Sequence, residues 1–596
     1  MTERPELVCT GLNPKVRSGG GVSCLLEISR DKVVLMTREF TLTREKDFTK
    51  ACDLLIEFGM NPAQSEKMIN AVITESRSAL ENAKDQPADL IVESQYRSRS
   101  IQIIEAMSDR GRWLMSPPDY MYFNGTTMTP IAIDSLEMDV LLNQRFKINE
   151  TERISNYAKA EMKYHTARQG EEVVIHDFSF FDQRRHCIYM YLGDGKVLKL
   201  DGNDREVVPN GEDNILFRPS IWFSSWEYQE KREYSLEELA QTFSFEEGGD
   251  SPFRPEEQQL LFIVFLLSLF LKSVQPTKPL VLATGSPGSG KTSMLRALGQ
   301  IIVGPEFEVD SLDAEREEYF WTAITNSSLV VYDNVDSKVK WLENALAKVA
   351  TGGRITKRKS HTTNQMVSFK VDCFLGLTSF APRFRRPDVA ERLLIFWMSR
   401  RDAGQRRPER WLQNLIAENR SGFLSEVADH LNSVLGTRQP ADDVSDLRMA
   451  DFASVAKWIG AGMSRNDEAS SVEYQISEII EKIRSSQQQF AGEENPLILA
   501  LKEWVLGSKD GQPNYLRTVP ASILNDELDG ICTNVLRLRW PWKTNTLTKG
   551  LKTNASVLDA DFEFETGIRA VKGNGIRVRL KTQSDAHAEN ERIRSL

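Results

Sequence analysis

Residues 279–295 read PLVLATGSPGSGKTSML, and no other stretch restricts the fold so tightly. An apolar run, Leu280–Ala283, enters a glycine-rich turn, Gly285-Ser286-Pro287-Gly288-Ser289-Gly290-Lys291-Thr292-Ser293, and a helical run follows. Glycines at this spacing let successive backbone N–H groups turn inward, and the start of the next helix adds its dipole, so the loop suits phosphate groups. In such a loop the lysine, Lys291, reaches the β- and γ-phosphates and the hydroxyl of Thr292 ligates Mg²⁺. ATP and Mg²⁺ are therefore the expected ligands. Helix and strand alternate from about 258 to 400, which signals a parallel sheet with crossover helices around the loop.

A bound Mg²⁺ needs a carboxylate nearby. NSSLVVYDNVD (326–336) supplies one: Leu329 to Tyr332 read as a buried strand with Asp333 at its end. A third apolar strand, DCFLGLTS, ends in Thr378 and Ser379, either of which would sit between the loop and Asp333 and sense the γ-phosphate. Ser379 is the residue assigned there. APRFRRPDVAERLLIF follows, with Arg383, Arg385, Arg386 and Arg392 around a helix start at Pro387-Asp388. Arg386 and Arg392 are favoured for reaching the ATP of a neighbouring subunit, where such a group stabilises charge on the transferring phosphoryl.

Charge is distributed unevenly. The chain has 85 Asp and Glu against 75 Lys and Arg, a net charge of −10. Yet from Asn344 to Val371 there are six Lys or Arg and no acid. GGRITKRKS and QMVSFKVDCF flank a His-Thr-Thr-Asn tip, with Val367, Phe369 and Val371 alternating at the strand period, so this segment reads as a β-hairpin. Arg354, Lys357, Arg358, Lys359 and His361 are the candidates for contact with a phosphate backbone. The plainer reading is a solvated edge hairpin guarded by lysines.

Together the loop, YDNVD, TGGRITKRKSHTTNQ and LTSFAPRFRRPDVAERLL resemble the AAA+ ATPases of the superfamily 3 helicase type. More closely, they are similar to the primase-associated helicase modules of phages, plasmids and integrated elements. The likeness covers roughly 255–400. It implies a hexameric ring whose hairpins line a channel for single-stranded or forked DNA. Many such ATPases place a glutamate after the strand-end aspartate. Here that position is Asn334, a poor base that can still orient water, which leaves Asp336 or Glu343 as further candidates.

The flanks complete a multidomain α/β and α+β chain. Residues 1–90 read as an α+β domain, with strands in GGGVSCLLEIS and KVVLMTREFTL and a helix ending at Gly59. Residues 91–250 read as a second α+β domain, with a hairpin around Gly193-Asp194-Gly195, and FEEGGDSPFRPEE (245–257) as a linker. The ATPase core occupies 251–408, a helical lid 409–494 and a winged helix 495–583, with a disordered tail at 584–596.

In the winged-helix reading, Lys543, Thr544, Asn545, Lys549 and Lys552 lie on or before a short helix. A basic hairpin turns at Gly573-Asn574-Gly575 with Arg569, Lys572, Arg577 and Arg579 along it, and DADFEF (559–564) is a solvated turn. No primase site is visible, so a primase or polymerase would be a separate partner. The twelve apolar positions of 260–271 read as a buried helix, because spanning a bilayer takes ~20. Six scattered cysteines and an N-terminus without a signal-like core point to the cytoplasm. Two functions follow: an ATP-driven DNA helicase, or a non-translocating nucleotide switch such as an initiator, regulator or defence ATPase.

Overall fold

The computed structural model describes residues 7–16, 22–30, 33–82, 88–218, 222–249, 251–335, 339–358, 366–380, 384, 386–402, 404, 406–439, 447–464, 472–492, 496–509, 512–536, 540, 543, 547, 551, 558, 562–570 and 573–580. The chain divides into two compact units. One holds Met1–His176, Asp194–Lys196 and Val208–Arg218; the other holds Asp177–Gly193, Val197–Val207 and Pro219–Leu596. This division does not follow the expected breaks at 90 and 250.

The first unit begins with a three-stranded antiparallel sheet, Leu7–Val16, Val22–Arg30 and Val33–Phe40, followed by helices Glu45–Glu57 and Pro62–Asn82. Its first strand escaped the sequence reading because LVCTGLNPKV carries Gly11 and Pro14. The strand lies at the sheet edge, and its register shifts between Leu12 and Lys15, where an edge tolerates proline. Inside this unit Arg99 forms an ion pair with buried Glu27 and donates to Thr37 Oγ1 at 2.6 Å. Burial pushes its guanidinium down to about 10.

In the second unit, α1 (Pro255–Leu269) buries nearly its whole length, as an apolar helix beside a sheet must. The preceding 245–257 segment is not a free linker. Phe245 and Phe253 are buried, Phe245 bridges to Met398, and the Glu246 N–H donates to Trp397 O at 2.9 Å. The aromatics within an acidic, glycine-containing run hold it along the sheet.

The core sheet comprises β1 (Leu280–Gly285), β2 (Asp310–Ser311), β3 (Leu329–Asp333), β6 (Phe374–Ser379) and β7 (Leu393–Met398). All pairs are parallel, in the spatial order β2-β3-β6-β1-β7. Between β3 and β6 the chain forms an antiparallel hairpin, β4 (Arg354–Arg358) with β5 (Met366–Lys370). The crossover helices are α2 (Lys291–Ile302), α3 (Glu317–Asn326) and α4 (Leu342–Ala350). In α2, Met294, Leu295, Leu298, Ile301 and Ile302 form a buried stripe at helical spacing, which sets the helix against the sheet. A short helix, α5 (Pro387–Ala390), precedes β7, and three longer ones follow: α6 (Glu409–Leu435), α7 (Ala450–Ser464) and α8 (Val472–Gly492).

The C-terminal part has its own core. Helices α9 (Pro496–Leu506) and α10 (Ala521–Asn534) bury Leu497, Leu501, Trp504, Leu524 and Leu528 with Val578. Three strands, β8 (Val519–Pro520), β9 (Phe562–Ala570) and β10 (Gly573–Leu580), lie in the order β8-β10-β9. Two expectations need correction here. Residues 562–564 are strand, not turn, because Phe562 is buried in this core. The hairpin turns before Gly573, since Ala570 already pairs with Gly573 and Ile568 with Gly575. Of the residues expected on or before the intervening helix, Lys543 is described; Thr544, Asn545, Lys549 and Lys552 lie outside the described residues, as do Lys572 and 584–596.

Glu527 ties this domain together by accepting from Trp504 Nε1 at 2.7 Å, Lys509 Nζ at 2.7 Å and Arg517 Nη2 at 3.1 Å. Burial works to raise its carboxyl, but these donors outweigh burial and bring it to about 2. A carboxylate depressed in the folded state contributes stability that is present above its unfolded value near 4.5 and lost as pH falls toward 2. Glu527→Gln should therefore cost about 1–3 kcal/mol at neutral pH. Its penalty relative to wild type should shrink between pH 4.5 and 2 in chemical unfolding followed by circular dichroism.

Candidate nucleotide site and hairpin

The glycine-rich loop leaves β1 at Gly285, whose φ is +141°. A Cβ there would stand 2.1 Å from Met398 O, because β7 runs directly alongside, so only glycine fits. Gly288 and Gly290 also have positive φ, at +76° and +88°. Lys291, first residue of α2, folds its ammonium over the loop and donates to Gly285 O at 2.9 Å and Ser286 O at 3.0 Å. Burial lowers its pKa, while Asp333 opposes the shift. Ser289 is buried and its hydroxyl has no hydrogen-bond partner among the described residues, an orphaned donor in the middle of the loop.

Two more strands converge on this loop. Because β6 lies between β1 and β3, its C-terminal end separates the loop from Asp333. Asp333 Oδ1 accepts from Thr292 Oγ1 at 2.7 Å and from Thr378 Oγ1. The Thr378 hydroxyl in turn accepts from the Asn334 N–H at 2.8 Å. Burial raises the Asp333 carboxyl, but the Thr378 and Thr292 bonds more than offset it and hold the group below the usual carboxylate range. A hydroxyl and an ionised carboxylate in contact form the oxygen donor set that Mg²⁺ takes alongside water and phosphate. Thr292 and Asp333 could hold that ion, with the hydroxyl and the carboxylate as oxygen donors.

The other expected residues divide. Thr378, not Ser379, touches Asp333. The Ser379 hydroxyl donates to Val335 O at 3.1 Å, since successive strand residues face opposite ways. Ser293, grouped with the phosphate loop, donates instead to Glu409 Oε2 at 2.6 Å. Asn334 is exposed in a left-handed conformation, φ +50°. Arg386 is held by its own chain, donating from Nε and Nη2 to Asp388 at 2.9 and 2.6 Å and from Nη1 to Asn344. Glu343 accepts from the Arg386 N–H at 3.3 Å. Arg392 is half-buried and donates to Asp388 O at 2.6 Å. Asp336, Arg383 and Arg385 lie outside the described residues.

Arg354, Lys357 and Arg358 occupy β4, while Lys359 and His361 lie outside the described residues. The hairpin root is anchored to the segment that feeds β1. Buried Lys278 binds Asp372 just beyond β5 and donates to Gln275 O at 3.0 Å, and its N–H donates to Ala350 O at 3.0 Å. The Val371 N–H closes the root on Gly353 O at 2.9 Å. A displacement of β1 would thus be felt at the hairpin.

Three residues of the loop's surroundings had no reading in the sequence: Arg400, Glu409 and Arg420. Glu409 also accepts from Arg296 Nη1 at 2.6 Å. Buried Arg420 donates to Ile301 O, Ile302 O and Val303 O at 2.9, 3.0 and 3.3 Å, and to Ser224 O at 2.7 Å. It caps the carbonyl end of α2, where a cation complements the helix dipole. Helix α6 thereby grips α2 at both ends. Arg420→Met should cost about 2–4 kcal/mol by stranding these carbonyls, and calorimetry should show the loss as a lower melting temperature.

Comparison with known proteins adds a region-wide likeness. A family model described as "Actinomycete integrative conjugative element replication protein" matches residues 252–471. Over this region the chain is similar to a mobile-element replication protein. The match runs from just before α1, through the loop, Asp333 and the hairpin, to the end of α7. No curated protein matches.

Among solved structures, the apo C-terminal region of NrS-1 is 12% identical with a TM-score of 0.38, covering 80% of this chain and 98% of that one. A JCV helicase bound to an acetamide compound is 15% identical with a TM-score of 0.21, covering 38% and 61%. Likenesses this loose bear no weight on the chemistry of the site. No helix among the described residues is long and apolar enough to cross a membrane.

Proposed function

We propose that this chain is an ATP-driven DNA helicase acting in replication of an integrated mobile element. The observation that carries the reading is the convergence of Lys291, Thr292, Asp333 and Thr378 at the ends of three adjacent parallel strands, with a cationic hairpin inserted directly before the middle one. The similarity to an integrative-element replication protein supports the setting. In this reading the backbone N–H groups of 285–286 and 288–292 and the Lys291 ammonium bind the ATP phosphates. Thr292 and Asp333 hold Mg²⁺, which supplies charge neutralisation on the phosphate oxygens. Thr378 orients Asp333, and the exposed Asn334 positions the attacking water. Arg386 completes the site of the next subunit in a hexameric ring, and the hairpin moves single-stranded DNA as its root shifts.

The test is strand displacement. Lys357→Ala with Arg358→Ala should abolish unwinding of a forked duplex and stimulation of hydrolysis by single-stranded DNA, while ATP binding stays within about threefold of wild type. The salt dependence of single-strand binding should also weaken, by about 0.7 in log–log slope for each phosphate contact removed. If the wild-type protein hydrolyses ATP but displaces no strand under any condition, the chain is a nucleotide switch and the motor is ruled out.

A further inference from the structure

Lys291 is not the only cation beside the phosphate loop. Strand β7 pairs with β1 in register to the last residue, Gly285 opposite Met398, so the chain leaves the sheet next to the loop. Ser399 fixes that exit: its N–H donates to Ser244 O at 2.9 Å and its hydroxyl to Phe245 O at 3.2 Å. Arg400 comes next. Its Nε lies 4.0 Å from the point a Cβ on Gly288 would occupy. The residue is exposed, and no carboxylate pairs with it among the described residues.

The surroundings of Arg400 are short of negative charge. Residues 400–407, RRDAGQRR, contain four arginines and one acid. Glu409, the next acid, is already engaged by Arg296 and Ser293. Arg401 is half-buried, and burial first and the Arg407 charge second lower its pKa. Like charges gathered at one exit are relieved by an anion, and a guanidinium offers phosphate a planar pair of donors.

We propose that Arg400 is a second cation of the nucleotide site, supplied by the same subunit and binding the phosphate chain of the nucleotide held by 285–292. This rests on the nucleotide reading of that loop and adds to it a contact from outside the motif. Relief of repulsion among the arginines of 400–407 adds to the favourable energy of phosphate binding.

The experiment is calorimetric titration of full-length protein with ATPγS in the presence of Mg²⁺, for wild type, Arg400→Ala, Arg400→Lys and Lys291→Ala. Arg400→Ala should weaken binding ~10- to 100-fold, the range expected for a lost charge-assisted hydrogen bond. Arg400→Lys should recover part of that loss, and the salt dependence of binding should be shallower in Arg400→Ala than in wild type. Circular dichroism melting of Arg400→Ala should match wild type, because the side chain is exposed. Binding within twofold of wild type in Arg400→Ala, alongside a large loss in Lys291→Ala, would overturn the role of Arg400 and leave the nucleotide site standing. Failure of wild type to bind ATPγS at all would overturn both.

Discussion

Lys291→Ala is expected to cut ATP turnover ~10²- to 10³-fold. The ammonium donates directly onto the loop, to Gly285 O and Ser286 O. Removing a preorganised charge from a site where negative charge concentrates costs roughly 10²–10³ in rate. In the proposed reading the same group also binds the ground state, so affinity should fall with turnover. A phosphate-release assay and a nucleotide titration measure the two losses separately. Turnover within tenfold of wild type would mean that the loop is not the hydrolytic site.

Arg386→Ala should be at least as severe but differently distributed. A guanidinium acting on a neighbour's transferring phosphoryl is worth ~10³ or more in kcat, whereas nucleotide affinity should change little. The same arginine is now paired within its own chain to Asp388 and Asn344, so acting across a boundary requires exchanging those partners for phosphate. Mixing supplies the decisive check. Arg386→Ala protein retains an intact loop, and Lys291→Ala protein retains an intact arginine. A mixed assembly should regain hydrolysis that neither has alone. No recovery on mixing would place Arg386 in a purely structural role at the start of α5.

The candidate site was unevenly legible. The loop could be read because its residues are contiguous and its glycines answer a backbone requirement, most plainly at Gly285, where β7 leaves no room for a side chain. The hairpin was legible through its alternation on the return strand. The choice between Thr378 and Ser379 was not, because it turns on strand parity relative to a partner 45 residues away in sequence. Arg386 was visible as a charge but not as a charge already paired. The strand Leu7–Val16 was hidden by Gly11 and Pro14, and the 245–257 segment looked like a linker because its two buried aromatics are outnumbered by acids and glycines.

Features written within a few tens of residues were available from the chain alone: the alternation of helix and strand, the glycine-rich loop, the strand-end aspartate and the acid-free basic hairpin. They depend on local backbone freedom and on the period at which apolar residues recur. The grip of α6 on α2 is different in kind. Ser293 meets Glu409 across 116 positions and Arg420 meets Ile301 across 119. Arg400 likewise reaches Gly288 only because β7 lies beside β1. Such meetings follow from how remote segments bury their apolar faces against one another, which no single segment encodes.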